Sequence, residues 1–396
     1  MTGPGYRSPV RIRSERAWRT YHGGRLLDEL HGVSPASDTH FPEDWICSTV
    51  RAINAGREDV VEGLSRLADA DMTLKDYVSA DPAAALGKEH VARMGESLGV
   101  LVKLIDAAER LGVQCHPDKA KAREFFDSPF GKTECWHIVG GREVGGERPC
   151  VYMGFKPGVT KERWRDVFER QDVPSMLGML HRIEVKKGDT FLIEGGTPHA
   201  IGAGCLLVEI QEPTDYTFRT EKVTPQGFEI PERACHYGIG FDRMFECFHY
   251  EGLDEAEARR RYMVEPQIVE RTNEFVRTTI IGSPRTDCFA LERVDVSGAR
   301  RFEADGSFSC IYALSGHGRM ESADGVLEIG PGDQFFVPAD AQPFSVVSEE
   351  GSGGMSVYCA KENGDEIVVN YSPDKPFQYR GRDVAPKGYE FYKSCK

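Results

Sequence analysis

The sequence predicts a mainly β protein with α insertions, built as two jelly-roll β-barrels plus a small helical region. Two observations carry this expectation. Short apolar runs of strand length, bounded by Gly, Pro and Asp, dominate from Ile183 onward. One unit also occurs twice: Gly188-Asp189-Thr190-Phe191-Leu192-Ile193 is matched by Gly332-Asp333-Gln334-Phe335-Phe336-Val337. A turn closed by Gly-Asp and followed by a short apolar strand is the building block of small antiparallel barrels.

The chain has 396 residues, enough for two or three domains. The expected division is a metal-bearing domain over 1–250, with a helical segment at about 59–98, and a C-terminal domain over 251–396 without metal ligands. The formal charge of −14 argues against nucleic acid or an anionic membrane as partner. It leaves a small anion open, because local positive charge decides that. No apolar run approaches the roughly 20 residues of a membrane-spanning helix. The N-terminal arginines Arg7, Arg11, Arg13, Arg16 and Arg19 lack an apolar h-region and read as part of the folded domain around Trp18 and Tyr21. Eleven cysteines, none paired at zinc-ribbon or redox spacing, fit reduced thiols and a cytoplasmic location.

Taken in order, Pro42 marks a turn before a strand expected at Ile46 to Val50. Helical spacing over 59–71 and 73–79 places Val60, Leu64, Leu67 and Leu74 in the core. Asp81-Pro82 breaks that pattern, and a further helix is expected from Val91 to Leu98. Leu98 to Ile105 is a buried strand interrupted by Lys103, which either snorkels at a strand end or faces a ligand. Pro117 and Asp118 start a short helix through Phe125, and 132–139 is the returning strand. Strand 151–155, helices 160–171 and 174–181, and strands Thr190 to Ile193 and Leu206 to Gln211 follow.

Three stretches of this chain hold the residue types of one metal site. Gln114 and His116, two apart, share a face of an extended run. Glu134 follows in the returning strand. His199 closes the turn Gly195-Gly196-Thr197-Pro198-His199. One carboxylate, one amide and two imidazoles suit zinc or a similar divalent ion. The same alternation turns Cys115, Cys135 and His137 away from the ligands and into structural positions. Glu209, charged within Leu207-Val208-Glu209-Ile210, needs a partner or a wet cavity. In the second copy of the repeat no histidine lies between Gly332 and Val347, and His317 reads as a surface residue. The repeat, with the turn Gly316-His317-Gly318 before its second copy, resembles a two-barrel cupin.

The ordered set Gln114, His116, Glu134, His199 and Thr217-Phe218-Arg219 resembles type I phosphomannose isomerase (mannose-6-phosphate isomerase), in its short bacterial form. Pro42-Glu43-Asp44-Trp45, Val102-Lys103-Leu104, Gly131-Lys132-Thr133-Glu134 and Glu209-Ile210-Gln211 add to the likeness. It is strong over about 20–220. The resemblance implies one Zn2+ per chain on Gln114, His116, Glu134 and His199. It implies Arg219 and Lys132 as catalytic residues, Lys103 and Glu209 as substrate-binding residues, and a small-molecule sugar phosphate as partner of a monomer or homodimer. Aldose–ketose isomerisation through an enediolate places negative charge on sugar oxygens, which a Lewis-acidic ion and fixed cations stabilise. Glu209 and a metal-bound water both stand as proton-transfer base. An isomerase of another, unphosphorylated sugar and a non-catalytic sugar-binding cupin are the alternatives. The sequence departs from the family at Gly112, where a hydroxyl residue is usual, and at Thr220-Glu221-Lys222, where an aromatic-Asp run is usual.

Overall fold

The structure is a computed structural model that describes residues 5–54, 57, 59–349 and 355–362. The last part of the expected C-terminal domain, 363–396, lies outside the described residues. The fold is mainly β with α insertions, as the apolar runs indicate, and its strands form four antiparallel sheets. No helix among the described residues is long and apolar enough to cross a membrane.

A six-stranded sheet has the order Arg16–Ala17, Glu43–Ile46, Leu101–Asp106, Cys205–Gln211, Glu134–Gly141, Thr190–Ile193. A five-stranded sheet runs Phe218–Arg219, Gln114–Cys115, His199–Ile201, Cys150–Phe155, Leu180–Glu184. Ile105, Trp136, Ile138, Phe191 and Leu207 from the first sheet meet Val151, Met153, Ile183 and Ile201 from the second. The two sheets therefore face each other across one core. The outer side of the five-stranded sheet carries Val113, Cys115, Phe155 and Phe218, covered by Trp164, Phe168, Met244 and Phe245 of the helices that follow.

The C-terminal half repeats the plan with a seven-stranded and a four-stranded sheet. Val294, Ile311, Phe335 and Val357 of one pack on Met320, Ile329, Phe344 and Val346 of the other. Of the repeated strands, Thr190–Ile193 borders the six-stranded sheet, whereas Gln334–Val337 stands second from the border of the seven-stranded one. The N-terminal strand Val10–Ile12 joins this second unit, pairing Val10 with Phe336. Between the units lies a core of Ile46, Val102, Leu104, Val208 and Ile210 against Phe289, Leu291, Cys310 and Phe336, with Leu74, Tyr77 and Leu86 of the helical segment at its margin.

Three expectations are corrected. Residues 59–71 are not helical; their backbone amides bond to distant segments, as Ser65 N–H to Ser48 O and Ala68 N–H to Arg11 O. Gly63, at φ +84°, passes so close to Trp45 that a Cβ would lie 2.6 Å from its ring. Leu67 is buried as expected, whereas Val60 is exposed. Asp81-Pro82 ends the helix Leu74–Ala80, as expected, and also starts the next one: the Asp81 carboxylate caps Ala84 N–H, and Pro82 occupies the first turn of Pro82–Leu86. The next helix is Lys88–Met94, ended by Gly95 at φ +66°, earlier than Val91 to Leu98. The strand after Pro42 is Glu43–Ile46, because Cys47 takes φ +48° and turns the chain away. The helix Glu255–Tyr262 was not anticipated, although Asp254 and Glu257 form a capping box at its start.

The loop reading of 59–71 is testable by sign. In a helix, Gly63→Ala would stabilise the chain by about 1 kcal/mol. Here it is expected to destabilise by roughly 2 kcal/mol, seen as a lower urea midpoint with unchanged slope.

Candidate metal centre

Strand register assembles the site. Across the five-stranded sheet, Arg219, Gln114, His199 and Met153 are successive cross-strand partners. Across the six-stranded sheet one row reads Trp45, Lys103, Glu209, Trp136, Phe191, and another on the same face reads Leu101, Gln211, Glu134, Ile193. Residues directly opposite one another in antiparallel strands project from the same face. Both sets look into the space between the sheets, so a polar floor stands where the remaining interior is apolar. Glycines let the three ligand-bearing segments close on one another. A Cβ on Gly195 would lie 2.5 Å from Asp118 Cα, and one on Gly131 would lie 2.7 Å from Pro117 O.

His116, Glu134 and His199 are fully buried, and one ligand atom of each falls within 4.8 Å of the others. His116 Nδ1–H donates to Tyr216 O at 2.7 Å, and His199 Nδ1–H donates to Thr197 O at 2.8 Å. Carbonyl oxygens only accept, so both rings carry their proton on Nδ1 and present a bare Nε2. These two Nε2 atoms face each other at 3.1 Å. Burial, then the Lys132 charge, keeps His116 below the ordinary histidine value; burial, then His116, pushes His199 down to about 3. Two lone pairs therefore point into one small volume. Glu134 Oε1 stands 3.1 Å from His116 Nε2, and neither carboxylate oxygen accepts a hydrogen bond of good geometry. Burial would raise Glu134, but the Lys132 charge holds it well below the usual range, so it is an anion. Two imidazole lone pairs and a buried carboxylate without a proper donor are the donor set of a divalent cation. The half-buried Gln114 amide lies against them, its nitrogen 3.3 Å from His199 Nε2.

The remaining expected residues line the same cleft or its floor. Lys132 Nζ is 2.8 Å from Glu134 Oε1 and 3.4 Å from His116 Nε2. Lys103 does not snorkel: it is buried and donates to Glu209 at 2.8 Å and to Gln211 at 2.7 Å. Glu209 also accepts from Trp136 Nε1–H at 2.9 Å, which supplies the partners its burial demands. Burial and the nearby Glu134 charge raise Glu209 above the ordinary carboxylate value against the pull of Lys103. Arg219 lines the cleft and, among the described residues, donates only to the carbonyls of Thr217 and Ala234, both at 3.2 Å. Cys115 and Cys135 are core residues; His137 faces away from the cleft and bonds Thr190 Oγ1, and His317 is exposed.

Sequence reasoning gave no role to Arg19, Glu43, Arg110 or Glu221, all of which line the cleft. Glu43 is the most heavily bonded of these. It accepts from Arg19 at 2.8 Å, Tyr21 at 2.7 Å and Trp45 at 2.7 Å. The signal available was a charged residue alternating with Trp45 on a short strand. Burial opposes its ionisation, but Arg19 and Lys103 hold Glu43 down to about 2 against an ordinary 4.5. The folded chain therefore binds this proton less readily than the unfolded one. The stabilisation is fully present above pH 4.5 and is lost as pH falls toward 2. Glu43→Gln is expected to flatten the loss of thermal midpoint over that window, measured by scanning calorimetry against the parent.

Known proteins agree with this geometry. The family model for the phosphomannose isomerase type I catalytic domain matches residues 61–130, and that for the mannose-6-phosphate isomerase cupin domain matches 279–353. The Bacillus subtilis protein GmuF, named "probable mannose-6-phosphate isomerase", is 29% identical over 346 residues, 87% of this chain and 96% of its own length. The mannose-6-phosphate isomerase of Streptococcus mutans is 27% identical over 335 residues, 83% of this chain and 92% of its own. The crystal structure of the Bacillus subtilis mannose 6-phosphate isomerase shares the fold with a TM-score of 0.68 at 21% identity, over 89% of this chain and 99% of that one. A zinc-bound mannose 6-phosphate isomerase structure does so with a TM-score of 0.65 at 16% identity, over 90% of this chain and 100% of that one. Family models of phosphomannose isomerase type I, relatives named mannose-6-phosphate isomerase and the fold of solved structures of that enzyme thus all resemble this chain.

Proposed function

We propose that the protein interconverts mannose 6-phosphate and fructose 6-phosphate through an enediolate, with one zinc ion held by Gln114, His116, Glu134 and His199. The observation that carries this is the pair of bare imidazole nitrogens 3.1 Å apart beside the anionic Glu134, in a cleft that also holds Lys103, Lys132 and Arg219. Relatives that match most of this chain bear the name of that activity.

Zinc bound there would act as a Lewis acid toward the oxygens on C1 and C2 of the sugar. The chain's own groups supply the rest. Arg219 brings a permanent charge with fixed donors and no carboxylate beside it among the described residues. Lys132 stands between Glu134 and His116, so its ammonium lies beside the ligands that would hold the ion and adds positive charge where the sugar oxygens would sit. Glu209, raised by burial and held by Lys103 and Trp136, is the carboxylate of the cleft best suited to accept and return the proton moved between C2 and C1. The apolar walls formed by Ile105 and Ile201 limit water around that proton.

The decisive experiment incubates zinc-replete protein with mannose 6-phosphate in deuterated water. Fructose 6-phosphate should form, with exchange recorded at the carbon that gains the proton. A zinc-holding protein that turns over neither phosphorylated nor free aldoses would sink the isomerase reading in favour of a sugar-binding protein. For the ligand set, His199→Ala should bring zinc content from about one ion per chain to near zero by elemental analysis. Arg219→Ala should keep its zinc and lose roughly 100-fold in kcat, since it acts on charge that develops in the transition state.

A further inference from the structure

The cleft has a charge arrangement that the proposed reaction does not use. Its cations are matched one by one by carboxylates. Arg19 pairs with Glu43 at 2.8 Å, Lys103 with Glu209 at 2.8 Å, and Lys132 with Glu134 at 2.8 Å. The tightest match is Arg110 with Glu221: two parallel bonds of 2.6 and 2.8 Å. Glu221 is buried, and its Oε1 also accepts the Val113 N–H at 2.7 Å, one residue before Gln114. Arg110 spends a further donor on Leu111 O at 2.9 Å. Arg219 alone among these cations has only carbonyl partners among the described residues.

A bidentate arginine–carboxylate pair uses the fork that would otherwise take a phosphate. Gly112 also lines the cleft beside Glu221. A Cβ there would meet Glu221 Cβ at 3.6 Å, an ordinary contact, so this stretch of wall carries no side chain of its own next to the pair.

We infer that Glu221 is a specificity-determining residue: by occupying Arg110 it makes the Gly112 wall of the cleft a surface for the hydroxyls of a sugar and refuses an anionic group there. This deepens the isomerase reading and rests on it for the substrate. The test does not, because it measures binding without turnover.

The test titrates inorganic phosphate into zinc-replete protein by calorimetry. Glu221→Gln keeps an acceptor for the Val113 N–H and removes the charge. It should bind phosphate about tenfold more tightly than the parent, because the Arg110 fork becomes available. The double variant Arg110→Met with Glu221→Gln should return phosphate affinity to the parental value. Unchanged affinity in a folded, zinc-retaining Glu221→Gln protein would overturn the inference, as the pair would then serve only to hold the wall together. A double variant that binds phosphate more weakly than the parent would overturn it too, because Arg110 would then be gripping the anion despite its carboxylate. Failure of the parent to isomerise mannose 6-phosphate would leave this comparison intact.

Discussion

Two unprotonated imidazole nitrogens and a carboxylate, all pointing into one dry volume, are the constraint on which the site depends. All three are buried, and among the described residues no donor of good geometry satisfies them. In a medium of low polarizability such a cluster is tolerable only with a positive charge close by. Lys132 provides it within the chain, at 2.8 Å from Glu134. A divalent ion would provide it better, since it accepts all the lone pairs at once. The surrounding structure is arranged to hold the cluster in place. Backbone carbonyls of Tyr216 and Thr197 fix both ring orientations, and glycines at 131 and 195 allow the three strands to approach.

How much of this was legible in the sequence depends on how local each cause is. Gln114, His116, Glu134 and His199 could be found because period-two alternation and glycine turns are local signals, and the same alternation assigned Cys115, Cys135 and His137 to structural positions. The short strands from Ile183 onward and the repeated Gly-Asp turn could be read for the same reason. Lys103 could not be decided: the residue that fixes its role, Glu209, is 106 positions away and becomes its neighbour only through strand register. The Arg110–Glu221 pair is hidden by a separation of 111 residues. Residues 59–71 carried a helical pattern by composition, but Gly63 against Trp45 and backbone bonds to Ser48 and Arg11 overrode it. At Asp81-Pro82 the break could be read from sequence, while the cap and first-turn proline that start a second helix there were not.

The cleft also illustrates how an acidic chain prepares to hold an anion. A net charge of −14 is far from repelling a sugar phosphate everywhere, because the relevant field is set within a few ångströms. Pairing most cations with carboxylates keeps them charged and oriented at little electrostatic cost. Among these cations Arg219 is left without a carboxylate partner among the described residues.

The pairing of Val10–Ile12 with Gln334–Val337 has a consequence for how the molecule is made. Arg11 contacts Asp333 across 322 positions of sequence. A nascent chain can assemble the metal-bearing pair of sheets early, yet its leading strand must wait for almost the whole remaining polypeptide before it finds its neighbour. Until then the segment is an unpaired edge, and the late sheet lacks its border. The two halves are thereby stitched together at the end of folding and not at its start. A tag or truncation that disturbs residues 10–12 would be felt first in the half of the protein farthest from it along the chain.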